Sequence, residues 1–347
     1  MGNVLICGGK TSADFEEATF LASAELYIAG SKLIIPVGAM ANIRGFGHTA
    51  TAVVQGSVIV AGGLCESGTV GAIESFFSPA NLFSIVGSLL VPRYQHTATL
   101  LPNGNILFTG GSPDAEHATD SAEIFNPTTN ASSFVGAMTM ARMGHTATLL
   151  GPLPSYPLGA VLITGGLLLD GATSTATTEI FDIGAGTFEA AGDMTMTRNF
   201  HAAQLLATGK VLITRGQGFD GTAACDLFDP IAMGCSATGN LPSDMIFGCA
   251  LAPLFDGSVL AVGADLEPVA PRAAIYDVPS GAWTAIAPPI VRSHHSATAT
   301  LAGVVITGGY DASDELVSGQ FLTLLPSNVF PGFPVGDRRA GFDKAGK

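Results

Sequence analysis

The sequence predicts an all-β fold, a seven-bladed β-propeller with four antiparallel strands in each blade. Three observations predict it. An apolar strand ending in a glycine pair recurs as "VLICGG" 4–9, "VIVAGG" 58–63, "ILFTGG" 106–111 and "VLITGG" 161–166, weakens to "VLITRG" 211–216 and "VLAVGA" 259–264, and returns as "VVITGG" 304–309. The units repeat at about 50 residues, longer than a solenoid turn and long enough for four short strands. The repeated strands are apolar at every position, as strands buried on both faces are.

Each unit reads in the same order. An opening phrase comes first: "GFGHTATAV" 45–53, "RYQHTATLL" 93–101, "RMGHTATLL" 142–150, "RNFHAAQLL" 198–206 and "RSHHSATAT" 292–300. A tight turn such as "PNG" 102–104 leads into the glycine-ended strand. A variable polar loop follows, then a third strand: "AELY" 24–27, "IESF" 73–76, "AEIF" 122–125, "TEIF" 178–181, "CDLF" 225–228 and "AAIY" 273–276. After another turn, a fourth strand opens on a bulky residue, so that Phe76 and Phe83, Phe181 and Phe188, Tyr276 and Trp283, and Tyr27 and Ile34 are seven apart. Phe125 and Phe134 are nine apart.

The first unit lacks an opening strand. Two readings stay open: the chain is a piece of a longer product, or the C-terminal tail adds the missing strand, with "SNVFPGF" 327–333 the candidate. The expected organisation is a propeller over 1–325 and a tail over 326–347, disordered from 334 onward.

Composition excludes several classes. The 347 residues are 47% hydrophobic and carry a formal charge of −14, with no basic stripe for a nucleic-acid backbone or an anionic membrane surface. Mean hydropathy is +0.43, yet Gly, Pro, Ser or Thr interrupts every apolar run before it could span a bilayer. Cys7, Cys65, Cys225, Cys235 and Cys249 form no CxxC pair, so zinc-ribbon and thioredoxin readings fail, and the thiols read as small buried hydrophobes. The N-terminus shows no signal peptide; an extracytoplasmic location is expected only if one precedes this chain.

The glycine pair, the acidic–hydrophobic–aromatic third strand and the bulky fourth strand resemble the Kelch repeat, best at Tyr276, Asp277, Gly281 and Trp283. The Arg-x-x-His opening resembles bacterial Kelch-like proteins, whose propellers are related to the central domain of galactose oxidase. The resemblance covers residues 1–325 and implies the propeller fold; most units depart from it with Phe in place of Trp. It does not imply one function, because such propellers serve many. Galactose oxidase suggests copper chemistry, but Tyr27, Tyr94, Tyr156, Tyr276 and Tyr310 mark no copper set, and no cofactor or metal is called for.

Two residue sets stand out. The first is Arg93/His96, Arg142/His145, Arg198/His201 and Arg292/His295, with His48 alone because Arg44 is displaced by one. Third-strand acids Glu25, Glu74, Glu123, Glu179 and Asp226 accompany them. Where Arg and His become Ile246 and Cys249, the acid becomes Ala274, which suggests one Arg–Glu–His network at each blade junction. Gly319 breaks the correlation, since Arg292 and His295 remain in that unit. These residues therefore read as structural rather than catalytic.

The second set lies in the loops between second and third strands, which hold fourteen of the 28 acidic residues. They include Asp14, Glu16, Glu17, Asp114, Glu116, Asp120, Asp265, Glu267, Asp311, Asp314 and Glu315. Loops that vary on a rigid scaffold are where binding resides. The expected function is a non-catalytic binding module, a monomer, whose acidic loop face takes a protein or carbohydrate ligand. The alternative is a carbohydrate-active or sugar-oxidising or epimerising enzyme with an axial site. No GxSxG, HExxH or P-loop appears.

Overall fold

The computed structural model describes residues 2–11, 18–53, 56–114, 116–168, 170–216, 224–242, 247–264, 272–286, 295–300, 303–309 and 320–322. Five sheets have four antiparallel strands in the order first–second–third–fourth. They are Thr49–Ala52 (β4), Ser57–Ala61 (β5), Ala72–Phe77 (β8) and Leu82–Ser88 (β9); Thr97–Leu100 (β10), Ile106–Thr109 (β11), Ala122–Asn126 (β12) and Ala131–Phe134 (β13); Thr146–Leu150 (β14), Ala160–Thr164 (β15), Thr178–Asp182 (β16) and Thr187–Ala191 (β17); Ala203–Leu205 (β18), Val211–Ile213 (β19), Cys225–Asp229 (β20) and Gly234–Thr238 (β21); and Phe247–Pro253 (β22), Val259–Ala264 (β23), Arg272–Asp277 (β24) and Ala282–Ile286 (β25). A two-stranded hairpin, Leu64–Cys65 (β6) with Gly68–Thr69 (β7), stands in the loop between β5 and β8.

The expectation of seven four-stranded blades needs correction. The first sheet, Val4–Cys7 (β1), Ala24–Ile28 (β2) and Leu33–Pro36 (β3), has three strands. So does the last, Ser296–Thr300 (β26), Gly303–Thr307 (β27) and Gln320–Leu322 (β28). The described residues therefore build five complete blades. The two short sheets meet: a Cβ on Gly2 would lie 3.6 Å from Cβ of Thr300. The tail expected at 326–347 lies outside the described residues.

The core follows from the repeat. β11, β15 and β19 are buried along their whole length because each second strand sits between two neighbouring sheets. β1 is only half-buried, as a second strand without an opening strand beside it should be. The seven-residue spacing of bulky residues places them directly opposite each other: Phe76 pairs with Phe83, Phe181 with Phe188 and Tyr276 with Trp283, with ring centroids 4.8–5.0 Å apart. The nine-residue spacing has a different result. Phe125 faces Ser132, and its ring instead packs against Gly87 of the preceding sheet, where a Cβ would come within 3.0 Å.

Candidate functional site

The Arg-x-x-His part of the opening phrase lies on the linker between a fourth strand and the next first strand. This is the face from which the second-to-third-strand loops also emerge. Arg93 is fully buried. Its Nη1 donates to the Gly110 carbonyl at 2.7 Å and the Ser121 carbonyl at 2.9 Å, and its Nη2 to Glu123 Oε1 at 2.8 Å. Arg142 repeats this with Gly165, Thr177 and Glu179, and Arg198 with Thr214, Ala224 and Asp226. Each carboxylate also accepts backbone N–H groups of the linker: Glu123 from Leu90 at 2.7 Å, Glu179 from Thr139 at 2.6 Å. The Arg–acid pair therefore staples the incoming linker onto its own sheet.

Arg44 corrects the sequence reading. It is fully buried, donates to the Gly62 carbonyl and pairs with Glu74 Oε1 at 2.9 Å like the others. Gly45 absorbs the extra residue, on a stretch too tight for a side chain, since a Cβ there would fall 2.3 Å from the Phe20 ring. Glu25 differs in the other direction: with no opening phrase in its unit, it is exposed. Arg292 lies outside the described residues; His295 is buried.

The histidines do not join the Arg–acid network, as the sequence had suggested. They reach back to the preceding sheet. His145 Nε2 lies 3.0 Å from Thr109 Oγ1 and 3.2 Å from Thr97 Oγ1. His201 Nε2 lies 2.8 Å from Thr164 Oγ1 and 3.0 Å from Thr146 Oγ1. His96 Nε2 lies 3.0 Å from Thr49 Oγ1, and His48 Nε2 donates to the Cys7 carbonyl at 3.0 Å. Burial disfavours the charged ring and the nearby arginines add to it: His48 falls to about 4, His201 to about 3, and His96 and His145 lie well below the usual range.

The glycine pair receives this joint. In the first sheet Gly8 and Gly9 take Arg44 of the next, and in the next three sheets Gly62–Gly63, Gly110–Gly111 and Gly165–Gly166 do the same. The second glycine N–H donates to the next arginine's carbonyl, as Gly111 does to Arg142 at 2.9 Å. The first glycine is left-handed, and a Cβ on Gly110 (φ 58°) would meet the Arg142 carbonyl oxygen at 2.4 Å and His145 Cε1 at 2.7 Å. Glycine is required there because the next sheet's Arg and His occupy the space of a side chain.

One further ring escaped sequence reasoning. The residue before each histidine, Gly47, Gln95, Gly144 and Phe200, is left-handed. The N–H of Gln95 donates to Gly47, that of Gly144 to Gln95 and that of Phe200 to Gly144, at 2.7–3.0 Å. A backbone hydrogen-bond chain thus runs from sheet to sheet. Two glycines among the four were the only signal in the sequence.

Of the acidic loop set, Asp114, Glu116 and Asp120 are described and exposed. Asp14, Glu16, Glu17, Asp265, Glu267, Asp311, Asp314 and Glu315 lie outside the described residues. Asp114 caps its own loop, accepting the N–H of His117 at 2.8 Å and of Glu116 at 3.0 Å, which holds its carboxyl at about 2; its carboxylate raises the His117 imidazole in turn. Asp170 caps the next loop through Thr173 and Ala172 and also sits at about 2. Neighbouring loops touch: Thr69 donates to the Pro113 carbonyl at 2.7 Å, and a Cβ on Gly171 would lie 3.4 Å from the Glu116 carbonyl oxygen. Three consecutive loops therefore form one surface.

No family model matches the sequence, and no curated protein matches it. Solved structures do. The structure of YjhT matches at 15% identity over 81% of this chain and 95% of that one, with a TM-score of 0.62. A fungal alcohol oxidase of the AA5 family, in complex with copper, matches at 16% identity over 93% of this chain and 72% of that one, with a TM-score of 0.69. The described donors here do not fit a copper site. His48, His96, His145 and His201 are committed through Nε2 to Thr hydroxyls or to the Cys7 carbonyl. Tyr276 meets Thr238 Oγ1 at 2.7 Å, and Tyr156 donates to Glu189 on β17. Among the described residues no three His, Cys, Asp or Glu side chains gather to hold a metal, and no helix is long and apolar enough to cross a membrane. What the likeness and the sheet order establish is the fold, a β-propeller of antiparallel sheets shared with both of these structures.

Proposed function

We propose that the protein is a binding module that engages its ligand through the loops between second and third strands. One observation carries this reading. The Arg, His and acidic side chains of the complete joints are buried between sheets, while Asp114, Glu116 and Asp120 are exposed on a loop that touches its neighbours on both sides. An acidic loop face on a rigid scaffold favours a basic protein segment. The test is calorimetric titration with a Lys/Arg-rich peptide at two salt concentrations. The triple variant Asp114→Lys, Glu116→Lys, Asp120→Lys should lose binding, and a control adding lysines to the opposite face (Thr129→Lys, Ala185→Lys) should keep it. Equal binding by both variants would overturn the reading.

A second reading draws on the likeness to an alcohol oxidase over 93% of the chain. It makes the protein an oxidising or otherwise carbohydrate-active enzyme with an axial site. Copper loading followed by an assay for peroxide release from primary alcohols and sugars separates the two: turnover supports the enzyme, and its absence with peptide binding intact supports the module.

A further inference from the structure

Among the joints between the four-stranded sheets, one is built differently. Between the sheet of β18–β21 and that of β22–β25, the glycine, arginine, histidine and acid of the polar joint are all replaced, and Thr214, at the position of Thr109 and Thr164, bonds the Ala202 carbonyl instead. The first glycine becomes Arg215, the next arginine and histidine become Ile246 and Cys249, and the acid becomes Ala274. This is what the geometry elsewhere requires. A side chain at the first-glycine position clashes with the next sheet's Arg carbonyl and His ring, so it is admitted only where the motif is gone. The joint is apolar instead: Cys225 and Leu212 of one sheet are buried together with Leu241, Ala274 and Tyr276, and Cys249 and Trp283 pack against this cluster.

Two cysteines stand on opposite sides of this one joint. Cys225 is fully buried at the start of β20. The register of other sheets shows what its position faces. Ala122 and Thr178, its counterparts, are the direct partners of Thr109 and Thr164, the residues that the next sheet's histidines contact. Cys249 occupies the histidine position. It sits in a register shift of β22, between Phe247 and Ala250. Burial raises its thiol to about 12, with the adjacent Cys225 thiol adding to the rise.

We propose that Cys225 and Cys249 form a disulfide that closes this joint where the His–Thr contact is missing. The structure shows the reduced state. Oxidation proceeds by exchange with a small-molecule or oxidoreductase disulfide. One cysteine thiolate attacks a sulfur of that disulfide, forming a mixed disulfide and releasing one thiol. The second cysteine thiolate then displaces the other thiol. Two protein S–H bonds are lost, one S–S bond forms, and the donor disulfide is reduced to two thiols. Because Cys225 is sealed in the folded joint, exchange takes place before the two sheets dock. Cys7, Cys65 and Cys235 remain thiols.

The test refolds the full chain in a glutathione/glutathione disulfide buffer. Thiols are alkylated under denaturant, and peptides are mapped without reduction. The expected result is three alkylated thiols of the five, with a cross-linked peptide pair containing Cys225 and Cys249. The melting temperature should rise on oxidation in the parent chain and stay unchanged in Cys225→Ala. Five alkylated thiols after oxidative refolding, or a cross-link joining any other two cysteines, would overturn the proposal.

Discussion

Arg142→Ala is the sharpest probe of the joint. Arg142 is fully buried, and its guanidinium makes four hydrogen bonds: to the carbonyls of Gly165 (2.7 Å) and Thr177 (3.2 Å), to Thr177 Oγ1 (3.0 Å) and to Glu179 Oε1 (2.5 Å). Truncation leaves the Glu179 carboxylate buried with the Thr139 N–H (2.6 Å) as its remaining donor. Removing one member of a buried ion pair costs about 3–5 kcal/mol, because the other charge stays behind without compensation. In a chain of 347 residues that corresponds to a fall of about 4–7 °C in Tm, read by calorimetry at pH 7.5. The pair Arg142→Met with Glu179→Leu removes both charges and should recover part of the loss. A single variant melting within about 1 °C of the parent would refute the assignment of Arg142 as a staple.

Three further outcomes follow from the same geometry. His48, His96, His145 and His201 are held neutral, their folded values depressed below the unfolded 6.5. The unfolded chain therefore binds more protons below that value, and stability present above pH 6.5 is lost as pH falls toward the folded values of about 4 and about 3. Each histidine contributes a slope of about 1.4 kcal/mol per pH unit well below 6.5, so denaturant titrations from pH 7 to 5 should show a shallower slope in His145→Gln; an unchanged slope would count against a neutral His145. Gly110→Ala should destabilise far more than Gly104→Ala. Both glycines are left-handed, but the new Cβ strikes the Arg142 carbonyl oxygen at 2.4 Å in the first case and meets nothing within 4 Å in the second. Equal losses would mean that backbone strain alone sets the glycine requirement. Thr109→Val keeps the shape and removes the hydroxyl that meets His145 (3.0 Å), for a loss of about 1 kcal/mol in urea titration.

Much of the architecture was legible because repetition made it so. The glycine pair, the third-strand acid and the seven-residue aromatic spacing each report a local geometry, and each recurs in register with one second strand. What the sequence could not separate was which contacts stay within a sheet and which cross to the next. Arg and His travel together in the chain, three residues apart, yet the arginine binds its own sheet and the histidine the one before. Arg44 looked misplaced because spacing was read as fixed, whereas the stretch through Gly45 takes up one residue. The loop set was legible only as composition: Asp114 and Asp170 turned out to spend their carboxylates on their own backbone N–H groups. The ring of Gly47, Gln95, Gly144 and Phe200 was invisible because a left-handed backbone leaves no signature where the residue is Gln or Phe.

The joint carrying Arg215 and Cys249 shows why the parts of this motif vary as a set. The first glycine exists to make room for the next sheet's Arg carbonyl and His ring; the acid exists to neutralise the Arg; the threonines exist to meet the His. Losing the Arg alone would leave Glu or Asp buried and uncompensated, and losing the glycine alone would drive a Cβ into backbone. Only simultaneous replacement avoids both penalties. The apolar cluster of Cys225, Leu241, Ala274 and Tyr276 is such a replacement. A chain carrying both kinds of joint therefore offers an internal comparison. Restoring Arg215→Gly alone should change stability little, because the space it opens has no Arg or His to fill it, whereas Gly165→Arg, against an intact Arg198 and His201, should abolish folding.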